Sequence, residues 1–353
     1  MKALLLCLIV LPLIAPRAFA GEKVELAGWG IDEKHLEAFM PQAREVGFDA
    51  LITWNTDPEV LRKCVDAAKP YGIRIFSSLA PMGGIAKLWT QRYPDRPMPW
   101  QVMSPDEDAA LRFITAGKNQ FLIGYQFGGE PALTHEVLTS HILCFSSREG
   151  RELFKPVVDG IVSVPGIAGL AFDGFGYQNY RDCQCERCQA GLAAYRQARP
   201  EMKPEAAEVE FFRDLLVGTI NELADYARAQ RGDLQTAIHI WPVFAPEPLY
   251  GNRLDLDFCG QTAAWYTLWP EEKIAAYSRT IAAEATKFHP RQQGVGMIGY
   301  YDRPGQFPVK DAACVDMELR TMIEGGCRHL QVCSAQDVIR KPEIAAVFRK
   351  YCR

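Results

Sequence analysis

Eight short apolar runs recur along this 353-residue chain at 24–30, 50–54, 73–79, 167–173, 236–241, 262–269, 295–301 and 329–334. Several of the stretches between them carry helical periodicity, as at 58–71, 208–230, 270–288 and 309–324. The first strand starts fall about 25 residues apart, a normal spacing for a strand followed by a helix. Gly325 and Gly326 close the last of these helices just before the eighth run, where a helix C-terminus favours glycine. Runs that alternate in this way build parallel sheets, and eight of them predict a closed (β/α)8 barrel.

Two prolines break the pattern. Pro41 predicts that the first helix starts late or kinks, and Pro156 predicts the same ahead of the fourth strand. Residues 81–148 form a long insertion after the third strand, carrying Trp89, Trp100, Glu130 and a Gly-Gly pair at 128–129. A connection of that length inside a compact domain is usually functional. Residues 21–353 are expected to be a single barrel domain with this one insertion.

Residues 1–20 read as a secretory signal. Lys2 gives the positive start, 4–14 the apolar stretch, and Ala18-Phe19-Ala20 the small-x-small cleavage site. A secreted or periplasmic location follows. No later stretch is long and apolar enough to suggest a membrane helix. The formal net charge is −4 with no basic patch, which argues against nucleic acid and anionic membranes as partners. No feature specifies an oligomeric state.

A barrel of this kind places its active site at the C-terminal ends of its strands. Strand one ends in Trp29, and strand two in Trp54 and Asn55. Strand three ends in Ser77 and Ser78. Strand four ends in Asp173, with Phe175 and Tyr177 beyond it. Strand five supplies His239 and Trp241, and strand six Trp265, Tyr266 and Trp269. Strand seven supplies Tyr300, Tyr301, Asp302 and Arg303, and strand eight Ser334, Gln336 and Asp337.

Two carboxylates across a barrel mouth are the minimum for glycoside hydrolysis, one as proton donor and one as nucleophile or base. Asp173 and Asp302 are the candidates, with Glu130 as a reserve acid that a lid could bring in. Tryptophan and tyrosine stack on the flat apolar faces of sugar rings, and this chain holds seven Trp and thirteen Tyr. Trp29, Trp54, Tyr177, Trp241, Trp265, Tyr266 and Tyr301 are therefore candidate sugar contacts. Asn55, His239, Arg303 and Gln336 are candidate hydroxyl ligands. Carbohydrate is the expected partner.

Cys183, Cys185 and Cys188 follow Asp173 by about ten residues, and Cys144 precedes it by 29. Four thiolates suit a closed tetrahedral zinc site of the structural kind. Export also allows two disulfides among the same four. Cys64, Cys314, Cys327 and Cys333 sit in or beside helix- or strand-like segments and read as small buried hydrophobes.

The stretch from Cys144 to Tyr195 resembles the middle of family 42 β-galactosidases. A Cys with Ser and Arg after it leads a helix, a strand follows, and Cys-x-Cys-x2-Cys comes next, over about 50 residues. The resemblance implies a structural zinc on Cys144, Cys183, Cys185 and Cys188. In that family the strand ends in an Asn-Glu pair carrying the acid/base. Here those positions hold Gly174 and Phe175, while the preceding acidic position is kept as Asp173. The family's nucleophile is a Glu ending strand seven, and the nearest group here is Asp302. The resemblance therefore does not imply β-galactosidase activity.

Three readings follow. The first is an exported glycoside hydrolase, and the second a carbohydrate-binding barrel that has lost catalysis. The third is a metal-dependent hydrolase on the cysteine cluster, which four sulfur ligands disfavour because they leave no site for water. No Gly-x-Ser-x-Gly, His-Glu-x-x-His or phosphate-loop pattern occurs.

Overall fold

The computed structural model describes residues 23–109, 140–240, 253–266, 268–284, 292–304 and 308–352. The leader, Glu130 with the middle of the insertion, and Trp241 lie outside the described residues. Among the described residues, no helix is long and apolar enough to cross a membrane.

The eight strands close into one parallel barrel in sequence order. They are β1 (Glu25–Trp29), β2 (Ala50–Thr53), β3 (Arg74–Leu79), β4 (Gly169–Asp173), β5 (Gln235–Ile240), β6 (Phe258–Ala264), β7 (Gln293–Gly299) and β8 (His329–Cys333). Closure is made by β8 pairing with β1, from Glu25↔His329 to Trp29↔Cys333. Parallel neighbours need a crossover, and among the described residues helices supply it between every consecutive pair of strands except β5 and β6. Strands covered on both faces read as continuous apolar runs rather than alternating ones, as the fully buried Ala-Leu-Ile-Thr of β2 illustrates.

The expected (β/α)8 architecture is thus present, with two local differences. The sixth strand runs over Phe258–Ala264 rather than 262–269, so Trp265, Tyr266 and Trp269 lie beyond its end. The seventh begins two residues earlier than expected and stops at Gly299. Pro41 neither delays nor ends its helix, which runs unbroken over Leu36–Val46. Its missing N–H removes one bond in a short helix held by the buried Phe39, Met40, Ala43 and Val46. Pro156 does mark a break: the chain forms two helices, Arg148–Glu152 and Phe154–Val162. The proline sits in the first turn of the second, where its missing donor costs nothing.

Local chemistry sets the helix starts. Asp57 accepts the Glu59 N–H at 2.8 Å and is followed by Pro58 at the first helical position. Asp311 caps Ala312–Glu324, and Ser334 caps Ala335–Arg340. The described ends of the insertion meet beside the mouth, where Trp100 and Leu143 form an antiparallel bridge. Gln101 ties this junction to the loop after β4, donating to the carbonyls of Leu143 and Gly176 and accepting from the Gln178 N–H.

Candidate active site

Period-two alternation decides which strand-end residues face into the barrel. Ala27, Ala50, Arg74, Phe76, Ala237, Phe258, Val295, His329 and Gln331 surround its lower interior. Stepping by two along the strands then brings Trp29, Asp173, His239 and Cys333 inward at the top. Asp173 pairs in register with His239.

Asp173 is the centre of this layer. Its Oδ2 accepts the indole N–H of Trp54 at 2.8 Å, and its Oδ1 lies 3.9 Å from His239 Nδ1. His239 is buried, and burial pushes its pKa down to about 3. The nearby carboxylate would favour the imidazolium, but desolvation wins, so the ring is neutral near pH 7. An unbroken series of rings crosses the mouth. Trp54 meets Trp29 at 6.2 Å, Trp29 meets His239 at 6.0 Å, and His239 meets Trp265 at 5.4 Å between centroids. Trp265 then packs on Tyr266 at 4.1 Å, and Tyr266 on Tyr301 at 4.5 Å. The Tyr301 hydroxyl reaches Cys333 Sγ at 3.0 Å.

Exposure separates floor from platform within that series. Trp29 and Trp265 are each 1% exposed, whereas Trp54 is 47% exposed. Trp29 is held further by its N–H to Gln331 Oε1 at 3.1 Å. Trp54 lies over Gly30, whose φ is +95° and where an added Cβ would come within 3.2 Å of the indole.

The remaining predicted residues fall in different places. Asn55 lies beside Trp54 in an open cleft of about 470 Å³ that also includes Glu33 and Gln336. Arg303 stacks its guanidinium on Tyr301, 4.6 Å from the ring centroid. Asp302 lies just past β7, with Oδ2 3.1 Å from Lys341 Nζ. Tyr177 does not face the mouth: its ring is buried edge-on to Phe145 and Phe212, and its hydroxyl donates to the Phe212 carbonyl at 2.8 Å. Trp269 is likewise buried, against Tyr277 and Lys273.

Phe175 is fully buried and stacks on Phe145 at 6.0 Å, with Phe154 and Phe172 around it. The position that aligns with the family's acid/base is therefore part of an apolar cluster. Gly174 before it has φ +66°, and an added Cβ there would lie 2.1 Å from Met82 Cε.

Two features were missed by examining only the last residues of each run. Glu33 lies four residues past the end of β1, yet it accepts from Asn55 Nδ2 at 2.9 Å and from the Thr53 hydroxyl. Lys310 is buried and donates to the carbonyls of Trp265 and Gly299, just past the end of β6 and at the end of β7. Its charge is balanced by Glu318 at 2.7 Å.

Cys144, Cys183, Cys185 and Cys188 converge with all four sulfurs within 4.8 Å of one another. Cys144 Sγ lies 3.5 Å from both Cys185 and Cys188 and 3.8 Å from Cys183. No disulfide joins them. The cluster could hold a metal ion and links the end of the insertion to the loop after β4.

No family model and no curated protein matches the sequence. Solved structures do match in fold. The PgaB (BpsB) glycoside hydrolase domain from Bordetella bronchiseptica aligns with a TM-score of 0.57 at 10% identity, over 94% of this chain and 98% of that one. The β-galactosidase from Bacillus circulans sp. alkalophilus gives 0.60 at 10% identity, over 94% of this chain and 56% of its own. The α-L-fucosidase isoenzyme 2 from Paenibacillus thiaminolyticus gives 0.56 at 11% identity, over 94% and 48%. The chain thus spans about half the length of the latter two. The fold is glycoside-hydrolase-like, and the likeness to β-galactosidases of family 42 holds at the level of the fold.

Proposed function

We propose that this protein is an exported glycoside hydrolase acting on an oligo- or polysaccharide at the C-terminal mouth of its barrel. The observation that carries the proposal is the placement of Asp173. It ends β4, and the N–H of an exposed, immobilised tryptophan orients its carboxylate. An apolar platform beside a fixed carboxylate is what a glycosidic bond needs, one to seat a ring and one to transfer a proton or attack the anomeric carbon. In this proposal Asp302 is the second carboxylate. Trp29, Trp265, Tyr266, Tyr301 and His239 form the wall behind the sugar, and Asn55, Arg303 and Gln336 meet its hydroxyls.

Zinc is the metal that best fits the cysteine cluster. Tetrahedral zinc at about 2.3 Å from each sulfur puts neighbouring sulfurs about 3.8 Å apart; the three spacings from Cys144, 3.5–3.8 Å, agree, and all four sulfurs lie within 4.8 Å of one another. Cys144, Cys183, Cys185 and Cys188 would hold it in a closed structural site that fixes the loop after Asp173.

A second reading is a carbohydrate-binding barrel without turnover. It is favoured by the burial of Phe175 and by the pairing of Asp302 with Lys341. Reducing-sugar release from a broad glycan panel distinguishes the two. A hydrolase releases sugar and loses that release on Asp173→Asn, whereas a binding protein retains glycan without cleaving it.

A further inference from the structure

The cleft beside Asp173 carries a carboxylate with no part in the hydrolytic scheme above. Glu33 is anchored from one side: the Thr53 hydroxyl donates to Oε1, and Asn55 Nδ2 donates to Oε2 at 2.9 Å. Asn55 is itself fixed, since its Oδ1 accepts the Asp57 N–H at 2.9 Å and its own N–H reaches Thr53 Oγ1 at 3.0 Å. Among the described lining residues, Glu33 is the charged one. Arg340 comes within 3.4 Å of Gln336 Oε1, but its guanidinium faces Asp32 at 3.6 Å and Asp337 at 4.0 Å. Asp173 adds a second carboxylate at the N–H edge of the Trp54 ring.

The two sides of this cleft ask for different things. Trp54 offers an exposed apolar face, with its N–H already used and its ring resting on Gly30. Glu33 offers only acceptor lone pairs; a carboxylate has about four, and the protein uses two. A group seated here must be flat and apolar on one face and must donate hydrogen at its edge. A sugar carboxylate or sulfate would instead meet the Glu33 charge without a described cation in the lining to offset it, and unlike a hydroxyl it carries no proton to give.

We infer that Glu33 is the specificity-determining residue of a glycan subsite in this cleft. It accepts hydrogen from a hydroxyl or amino group of a sugar stacked on Trp54, and it excludes uronic and sulfated sugars. The inference rests on the carbohydrate reading given above but does not require that Asp173 be catalytic.

The test is equilibrium binding by calorimetry to the Asp173→Asn protein, which can still accept the Trp54 N–H but should not consume the ligand. The probes are cello- and manno-oligosaccharides, chitosan oligomers and oligogalacturonides. Neutral or amino oligomers should bind about tenfold or more tighter than oligogalacturonides. Adding Glu33→Gln should weaken the favoured class about tenfold and narrow the gap, since a hydrogen bond to a charged group is worth about that factor or more. Glu33→Asp, with an unchanged melting temperature, serves as the folding control and should fall between the two. Equal binding of oligogalacturonides, or no effect of Glu33→Gln on affinity or preference, overturns the role of Glu33 while leaving the carbohydrate reading intact. Failure of every oligosaccharide to bind overturns both.

Discussion

Trp54 and Asp173 lie 119 residues apart, and the indole N–H of one meets the carboxylate of the other at 2.8 Å. The contact joins the residue after β2 to the end of β4, so in the proposed hydrolase the ring that would seat a sugar also orients the carboxylate. Trp54→Phe keeps the ring and removes the donor. Glycan affinity should then hold within a few-fold, while turnover falls by about tenfold or more, the value of a hydrogen bond to a charged group. Trp54→Ala should lose affinity as well. Steady-state kinetics together with glycan binding separate the two effects, and unchanged turnover in Trp54→Phe would show that the bond does not orient Asp173.

His239 makes stability depend on pH. Its pKa falls from 6.5 to about 3 on burial. Between those values the unfolded chain binds a proton that the folded one does not, so stability rises with pH and is lost as pH falls below about 6.5. The slope approaches about 1.4 kcal/mol per pH unit. Urea unfolding between about pH 7 and about pH 5 should show this loss, and His239→Gln should flatten it. Parallel curves for the two proteins would mean that His239 titrates normally in the folded state.

Lys310 holds the carbonyls of Trp265 and Gly299 together from inside the barrel wall, with Glu318 as its counter-ion. Lys310→Met should cost about 3–5 kcal/mol because it strands a buried carboxylate, and Lys310→Met with Glu318→Leu should recover much of that. The single variant should be less impaired in acid. Burial already pushes the Glu318 carboxyl upward. Its protonated form therefore supports the fold at low pH, and that support disappears as pH rises through the raised value. Denaturant midpoints for the three proteins at two pH values decide the matter.

Of the whole site, the barrel itself was the part most plainly written in the sequence. Buried parallel strands must be short apolar runs, and eight such runs with helices between several of them allow few other folds. The sixth strand was misplaced for a physical reason. Thr262-Ala-Ala-Trp-Tyr carries aromatic residues that favour strands, while the true strand opens with Phe258-Cys-Gly-Gln and has Gly260 where the Gln331 side chain approaches within 2.5 Å of an added Cβ. Asp173 and the aromatic mouth could be found because they end strands or follow a strand end by one or two residues. Glu33, the Trp54–Asp173 bond and the buried Lys310 depend on where loops return, which no local pattern encodes. Tyr177 shows the converse: an aromatic just past a strand end whose hydroxyl is taken by the Phe212 carbonyl and whose ring belongs to the core.

The cysteine cluster should carry about one zinc per chain when the protein is purified without chelator. Stripping the metal, or changing Cys188 to Ser, should lower the melting temperature and loosen the loop after β4, seen as faster amide exchange over 174–190. Elemental analysis paired with non-reducing mass spectrometry gives the answer. Absence of metal together with two bonds among Cys144, Cys183, Cys185 and Cys188 would replace zinc by disulfides.

The most direct test of the central claim is reducing-sugar release from plant, algal and host glycans by the protein expressed from Gly21 onward, compared with its Asp173→Asn variant. The account predicts release from at least one glycan, falling by about a thousandfold or more in the variant, as expected when a carboxylate essential to the chemistry is removed. Release that survives Asp173→Asn, or glycan binding without release by the unmutated protein, would contradict it.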